Sequence, residues 1–248
     1  MKRAGVLVLL LLTASLLAYA DDTVSWGGYT WTNAWSGQGY GSLALSGGGL
    51  QVTSVAVGSV SWGIAHTAMD STYQSYSTPW LSVAFSDNAS GGTGGLLAFE
   101  NPTGTSPAWG EVGYDPGVST TSYGVYTYNE LTGQYELVIL AQRTTGEHSL
   151  QVGRANGTVD FYLDGSLAYS AQYIQPDSFS NVYLMANGLA ADAGGSVTFT
   201  SFEAGNGYAR GPNGSFDPAP DPVPEPASLI LFGSGLMAVA GAIRRRLG

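Results

Sequence analysis

Apolar and polar positions alternate with a period of two through most of residues 23–209, and helical spacing never takes hold. Leu43 to Leu45, Val52 to Val60, Leu81-Val83-Phe85 and Leu96 to Phe99 read as strands. So do Tyr123 to Tyr128, Tyr135 to Ala141, Ser149 to Val152, Val159 to Leu163, Val182 to Met185 and Val197 to Phe202. Gly, Pro, Ser, Asn and Asp punctuate these runs at intervals of about ten residues, the rhythm of a two-sheet antiparallel sandwich. The sharpest local pattern is Gly157 to Ser166. There Val159, Phe161 and Leu163 point inward, Asp160 and Tyr162 outward, and Asp164-Gly165 supplies the positive φ values of a two-residue hairpin turn. Leu167 to Ser170 is the predicted return strand. His148, Leu150 and Val152 share one face, which places His148 at the start of another strand.

Both ends break this alternation. At the N-terminus Lys2 and Arg3 precede the apolar run Val6 to Leu12, and Ala18 and Ala20 put small residues where signal peptidase cuts, ahead of Asp21-Asp22. Residues 1–20 read as a signal peptide. At the other end, six of the eleven prolines fall in residues 212–226, a density that favours an extended spacer. Ala227 to Ile243 carry no charge over seventeen residues, a predicted helix of about 25 Å that suits an inner membrane. Arg244, Arg245 and Arg246 then anchor the topology, with the arginines cytoplasmic and the body outside. The expected domains are therefore 1–20 signal peptide, 21–210 β-sandwich, 211–226 Pro-rich linker, and 227–248 transmembrane helix with an Arg-rich tail.

Composition sharpens the picture by exclusion. The chain of 248 residues has no Cys, which removes disulfides, thiol nucleophiles and Cys-ligated metals together. Between Asp21 and Ser215 three arginines face fifteen acids, a net charge of −12, so nucleic acid is excluded as a partner. Few charges and open sheet edges predispose such a body to self-association.

Val223-Pro224-Glu225-Pro226, the Gly- and Ala-rich apolar segment and the terminal arginines together resemble the PEP-CTERM sorting signal of exported Gram-negative proteins. That resemblance implies processing by exosortase, a membrane transpeptidase, with Pro224, Glu225 and Pro226 as its recognition element. A second resemblance covers about 60 residues of the body. His148-Ser149-Leu150-Gln151-Val152, residues 157–165 and Val197-Thr198-Phe199 are similar to the late strands of concanavalin A-like jelly rolls, the lectin, laminin-G and glucanase sandwiches. It implies an all-β, two-sheet jelly roll, a fold that hosts lectins, hydrolases, lyases and inert adhesion modules alike.

Catalytic chemistry finds little support in the residue order. Retaining glucanases of this fold carry E-x-D-x-x-E or E-x-D-x-E on one strand, and no such cluster occurs. Glu111 to Asp115 is interrupted by Gly113, Glu130 to Glu136 by a Leu-Thr-Gly turn, and Asp164 of the Asp160/Asp164 pair belongs to the hairpin turn. His66 reads as a loop or edge residue without a carboxylate nearby. Calcium oxygens are available at Asp87-Asn88, Glu100-Asn101 and Asp192, but only from separate loops, so no metal ligands are assigned. Of the six tryptophans, Trp26, Trp31, Trp35, Trp62, Trp80 and Trp109, at least four are expected in the core. Trp62, Trp80 and Trp109 are expected in turns, and Trp109, beside Glu111, is the candidate for exposure to a ligand.

The expectation is a non-enzymatic surface or extracellular-matrix protein, structural or carbohydrate-binding within exopolysaccharide. A polysaccharide-active glycosidase or lyase, and a calcium-dependent adhesion module, stand as alternatives.

Overall fold

The computed structural model describes residues 22–35, 38–101, 108–172 and 179–218, in which the alternation resolves into twenty strands. The first eight are β1 (Thr23–Trp26), β2 (Tyr29–Thr32), β3 (Ala34–Trp35), β4 (Gln38–Gly39), β5 (Ser42–Ser46), β6 (Gly49–Thr53), β7 (Val55–Val57) and β8 (Val60–Ala68). The middle of the chain gives β9 (Pro79–Asp87), β10 (Gly94–Asn101), β11 (Ala108–Gly113), β12 (Ser122–Asn129), β13 (Gln134–Gln142) and β14 (Gly146–Ala155). Then come β15 (Thr158–Leu163), β16 (Ser166–Gln172), β17 (Asn181–Leu189), β18 (Ser196–Asn206), β19 (Tyr208–Arg210) and β20 (Phe216–Pro218).

Two antiparallel sheets stack into a sandwich, consistent with a jelly roll. The larger runs β1-β2-β8-β17-β10-β11-β12-β13, with β7 also paired to β8, and the smaller runs β16-β15-β14-β9-β18-β6-β5. Because side chains alternate across a strand, each sheet turns one set inward. Leu50, Val52, Leu81, Val83, Phe85, Leu150, Val152, Val159, Phe161 and Phe199 of the smaller sheet are sealed against Ala65, Leu97, Phe99, Val112, Val125, Val182, Leu184 and Ala186 of the larger. Phe99 and Phe161 stack across the two layers at 6.1 Å. Burial of each such side chain contributes roughly 1.5–3 kcal/mol.

The segment Val52 to Val60 is not one strand. Its first residues close β6 in the smaller sheet, Ser54 carries the chain across, and β7 and β8 pair in the larger sheet around a turn at Gly58-Ser59. The switch is secured at buried Ser54, whose N–H donates to the Gly195 carbonyl at 2.9 Å.

The predicted hairpin forms, with Asp164 at φ 52° and Gly165 at φ 73°. Asn156-Gly157, at φ 53° and 77°, makes an equivalent turn between β14 and β15. Asp160 and Tyr162, however, do not meet water. They lie on the outer face as predicted, but β19 and β20 fold back over it, and both are buried. Asp160 accepts from Ser170 Oγ at 2.6 Å, Tyr208 Oη at 2.6 Å and Arg210 Nε at 2.9 Å, while Phe216 packs on Tyr162 at 5.2 Å. The folded body thus continues past Arg210 to Pro218, into the stretch read as linker.

Tryptophan burial also departs from expectation. Trp31 and Trp80 are buried, whereas Trp26, Trp62 and Trp109 are half-buried. Trp62, Trp80 and Trp109 stand within β8, β9 and β11, not in turns. The Pro beside Trp80 is tolerated because it opens its strand. The predicted signal peptide with Ala18 and Ala20, the motif Pro224, Glu225 and Pro226, the transmembrane segment and Arg244 to Arg246 lie outside the described residues. Among the described residues no helix is long and apolar enough to cross a membrane.

At the 163–166 turn, the Asp164 carboxylate accepts from the Ser149 N–H at 2.9 Å and meets His148 Nδ1 at 2.9 Å, while His148 Nε2 reaches the Thr144 carbonyl at 2.9 Å. Burial disfavours the imidazolium, but the Asp164 hydrogen bond and charge and the Thr144 carbonyl outweigh it, so the His148 pKa is raised. A raised histidine pKa stabilises the fold fully below the unfolded value near 6.5, and that contribution is lost as pH rises through the folded value. His148→Gln is therefore expected to lower the melting temperature at pH 5.5 and to have little effect at pH 9, read by thermal melts at both.

Candidate functional site

The outward face of the larger sheet carries the richest chemistry. Register sets it: Asn187 lies opposite Trp62, Met185 opposite Ile64 and Tyr183 opposite His66 between β17 and β8. On the other side Ala98 of β10 lies between Tyr183 and Glu111, and Glu111 of β11 lies opposite Tyr126 of β12. Directly opposed residues project to the same face. The result is a cavity of about 220 Å³ walled by Trp62, Trp109, Tyr126 and Tyr183. Its apolar floor is Ile64 and Met185, which pack with Leu96 and Ala98. The volume falls below the ~300–1,000 Å³ that holds a drug-sized ligand and suits one ring or one residue of a longer chain.

Glu111 and Asp115, read as an interrupted pair, are brought together here. Gly113 lies between them at the end of β11, at φ 135°, where a Cβ would stand 2.5 Å from the Gly95 carbonyl, so only glycine can be accommodated. Asp115 follows in the loop and lines the cavity with Glu111. Burial raises the Glu111 pKa well above the ordinary value, and the Asp115 charge and a hydrogen bond between the two carboxyl groups raise it further, against the Trp109 hydrogen bond. That bond runs from Trp109 Nε1 to Glu111 Oε2 at 2.6 Å. Oδ1 of Asn187 has no hydrogen-bond partner, although the residue is buried. Buried oxygens left unpaired carry a desolvation cost of roughly 1–3 kcal/mol each.

His66 is a strand residue, half-buried within β8, not a loop residue. It stacks on Tyr183 at 4.9 Å, and its Nε2 lies 3.1 Å from Asn181 Oδ1. A carboxylate does stand nearby: Glu100 accepts from Tyr183 Oη at 2.8 Å and Asn181 Nδ2 at 3.3 Å. Tyr183 joins this polar cluster to Trp109, whose ring lies 5.2 Å away. Asn187 and Tyr183 were not candidates from the sequence. The alternation Asn181-Tyr183-Met185-Asn187, amphipathic on a strand whose other face is Val182-Leu184-Ala186, is the pattern that points to them.

Three other carboxylates have structural partners. The Asp87 carboxylate is buried and accepts from Arg143 Nη2 at 2.6 Å, Arg143 Nε at 3.1 Å and Tyr123 Oη at 2.5 Å. Glu136 accepts from Asn129 Nδ2 at 2.8 Å and from Tyr169 Oη. Asp192 Oδ2 accepts the Leu189 N–H at 3.1 Å. Among the described residues no group of three His, Asp or Glu is placed to hold a metal.

Comparison with solved structures finds distant resemblances. The CBM2 module of the Lactobacillus casei BL23 phage J-1 evolved Dit is 12% identical over 66% of this chain and 78% of its own, with a TM-score of 0.49. The Emp47p carbohydrate recognition domain is 10% identical over 67% and 86%, at 0.48. The laminarinase from Flavobacterium sp. UMI-01 is 14% identical over 65% and 80%, at 0.45. No curated protein matches the chain. Residues 222–246 match the family model of the PEP-CTERM protein-sorting motif, the tag of exported proteins of Gram-negative bacteria.

Proposed function

We propose that the body is a carbohydrate-binding module that takes up a sugar residue in the Trp62–Trp109–Tyr126–Tyr183 cavity. The observation that carries this reading is the unpartnered buried oxygen Asn187 Oδ1, beside the Glu111 carboxyl group in an aromatic-walled cavity. Aromatic faces complement the C–H faces of a sugar ring, and hydroxyl groups supply the donors that buried acceptors require. Residues 1–20 would direct export, signal peptidase would remove them, and the 227–248 helix would hold the precursor in the inner membrane. Exosortase would then act at Pro224, Glu225 and Pro226, leaving the module at the cell surface or in the exopolysaccharide matrix. Residues 219–226 serve as spacer.

A glycan array probed with residues 22–218, with calcium and again with EDTA, tests this directly. A selective signal that is insensitive to EDTA is expected, and a blank array would overturn the reading. Loss of signal in EDTA would instead favour a calcium-dependent adhesion module. Trp109→Ala is expected to weaken the selected glycan at least about tenfold, or ~1.4 kcal/mol, by isothermal titration.

A second reading rests on the two carboxyl groups at the same cavity. Glu111, protonated through its raised pKa, could protonate a glycosidic oxygen with Asp115 as the second carboxylate. Reducing sugar released from the selected glycan, and abolished by Glu111→Gln, would establish a glycosidase in place of a lectin-like module.

A further inference from the structure

The polar groups of the aromatic-walled cavity are weighted towards acceptors and negative charge. Glu111, Asp115 and Asn187 line it, and Asn187 Oδ1, in a residue only 3% exposed, has no partner. Two of the donors on its wall are already spent. Trp109 Nε1 donates to Glu111 at 2.6 Å, and Tyr183 Oη donates to Glu100 at 2.8 Å. No protein cation offsets the acids. The described residues hold no Lys, and of their arginines Arg143 lies on Asp87, Arg210 lies on Asp160, and Arg154 belongs to β14 of the other sheet.

We propose that the sugar residue taken up in this cavity carries a free amino group, bound as its ammonium against Glu111, Asp115 and Asn187 Oδ1. The proposal rests on the carbohydrate-binding reading of the same cavity and names the class of sugar. An ammonium group has three donors and no acceptor, which matches three acceptor groups converging on one space. A hydroxyl or acetamido group at the same place brings an acceptor of its own. The walls favour the same charge, because the ring quadrupoles of Trp62, Trp109, Tyr126 and Tyr183 attract a cation. A metal ion suits the walls less well. Calcium takes about six to eight oxygens, and among the described residues no group of three His, Asp or Glu is placed to hold one.

The cation also resolves the tension within the acid pair. Burial and the neighbouring Asp115 hold Glu111 in its protonated form, since two adjacent carboxylates without a counter-charge repel. An ammonium between them reverses that balance. The Glu111 proton leaves to solvent, and both carboxylates then accept from the bound amine.

The test uses the full chain in neutral detergent and three β-1,4-linked tetramers that differ only at C2: glucosamine, N-acetylglucosamine and glucose. Titrations run at pH 6, where the amine is protonated, and in ~0.15 M salt, which screens the negative surface. The glucosamine tetramer is expected to bind at least about tenfold tighter than either of the others. Asp115→Asn, which keeps an acceptor for the Gly117 N–H at 2.7 Å, is expected to cut that preference below about threefold. Glu111→Gln is expected to do the same and serves should the first variant melt early. Equal affinity across the three tetramers, or a preference that survives both variants, would overturn the amine and leave the carbohydrate reading standing. If none of the three binds, the amine falls as well. A neutral glycan selected on the array would then keep the wider reading, and a blank array would remove both. Choline competing as well as glucosamine would overturn the sugar and leave a bare ammonium site.

Discussion

Arg143→Ala is expected to destabilise the body by about 3–5 kcal/mol and to lower its melting temperature by roughly 6–20 °C. The expectation follows from what surrounds the guanidinium. Its Nη2 donates to Asp87 Oδ1 at 2.6 Å and to the Thr93 carbonyl at 2.9 Å, Nε donates to Asp87 Oδ2 at 3.1 Å, and the cation lies 3.9 Å from the Tyr114 ring centre. Side-chain exposure is 4% for Arg143 and 0% for Asp87. Truncating the arginine leaves a carboxylate with no access to water and only the Tyr123 hydroxyl as donor. Most of the loss is thus the cost of the stranded anion, and not the worth of the pair itself. A double variant, Asp87→Asn with Arg143→Met, is expected to recover more than half of it in thermal melts followed by circular dichroism. If the double variant melts as early as the single one, the damage comes from lost packing around Tyr114.

This ion pair illustrates what a linear reading reaches and what it does not. Asp87 follows an alternating strand and Arg143 sits just after another, so both look like solvated loop residues until the layers close and bring them together. The strands themselves were legible because alternation is local: Leu81, Val83 and Phe85 face the core as spaced, and the Asp164-Gly165 turn closes as its residue types demand. Tertiary cover was not legible. Asp160 and Tyr162 read as outward residues, and outward they are, but Tyr208, Arg210 and Phe216 reach them from about fifty residues downstream. His66 reads as a loop or edge residue because its inward neighbours Ala65 and Thr67 are small, which mutes the alternation of β8. The cavity draws on four strands and the loop after β11, so its residues carry no shared spacing along the chain. Trp109 was found because a tryptophan beside a carboxylate is conspicuous. Asn187, equally well placed, was hidden among residues of ordinary composition.

Glu111→Gln is expected to make the body more stable at neutral pH while removing ligand affinity. A carboxyl group whose folded pKa lies above its unfolded value near 4.5 binds its proton more tightly in the native state. Stability is then greatest below the unfolded value and falls, by up to ~1.4 kcal/mol per pH unit, as pH rises toward the folded value. The wild-type body should therefore lose melting temperature progressively above pH 4.5, and the glutamine variant should not show that share of the decline. Glutamine keeps an acceptor for Trp109 Nε1 and offers Asp115 a neutral neighbour, so the substitution relieves a burden without opening a hole. Proteins retain a destabilising buried acid where it serves a ligand. Two measurements on the same pair of proteins separate function from accident: melting temperature against pH, and affinity for the glycan selected on the array. A variant that gains stability and loses at least tenfold in affinity marks Glu111 as a binding group of the cavity. A variant that gains stability and binds as before would make Glu111 a bystander, and recognition would then rest on Asn187 and the aromatic walls.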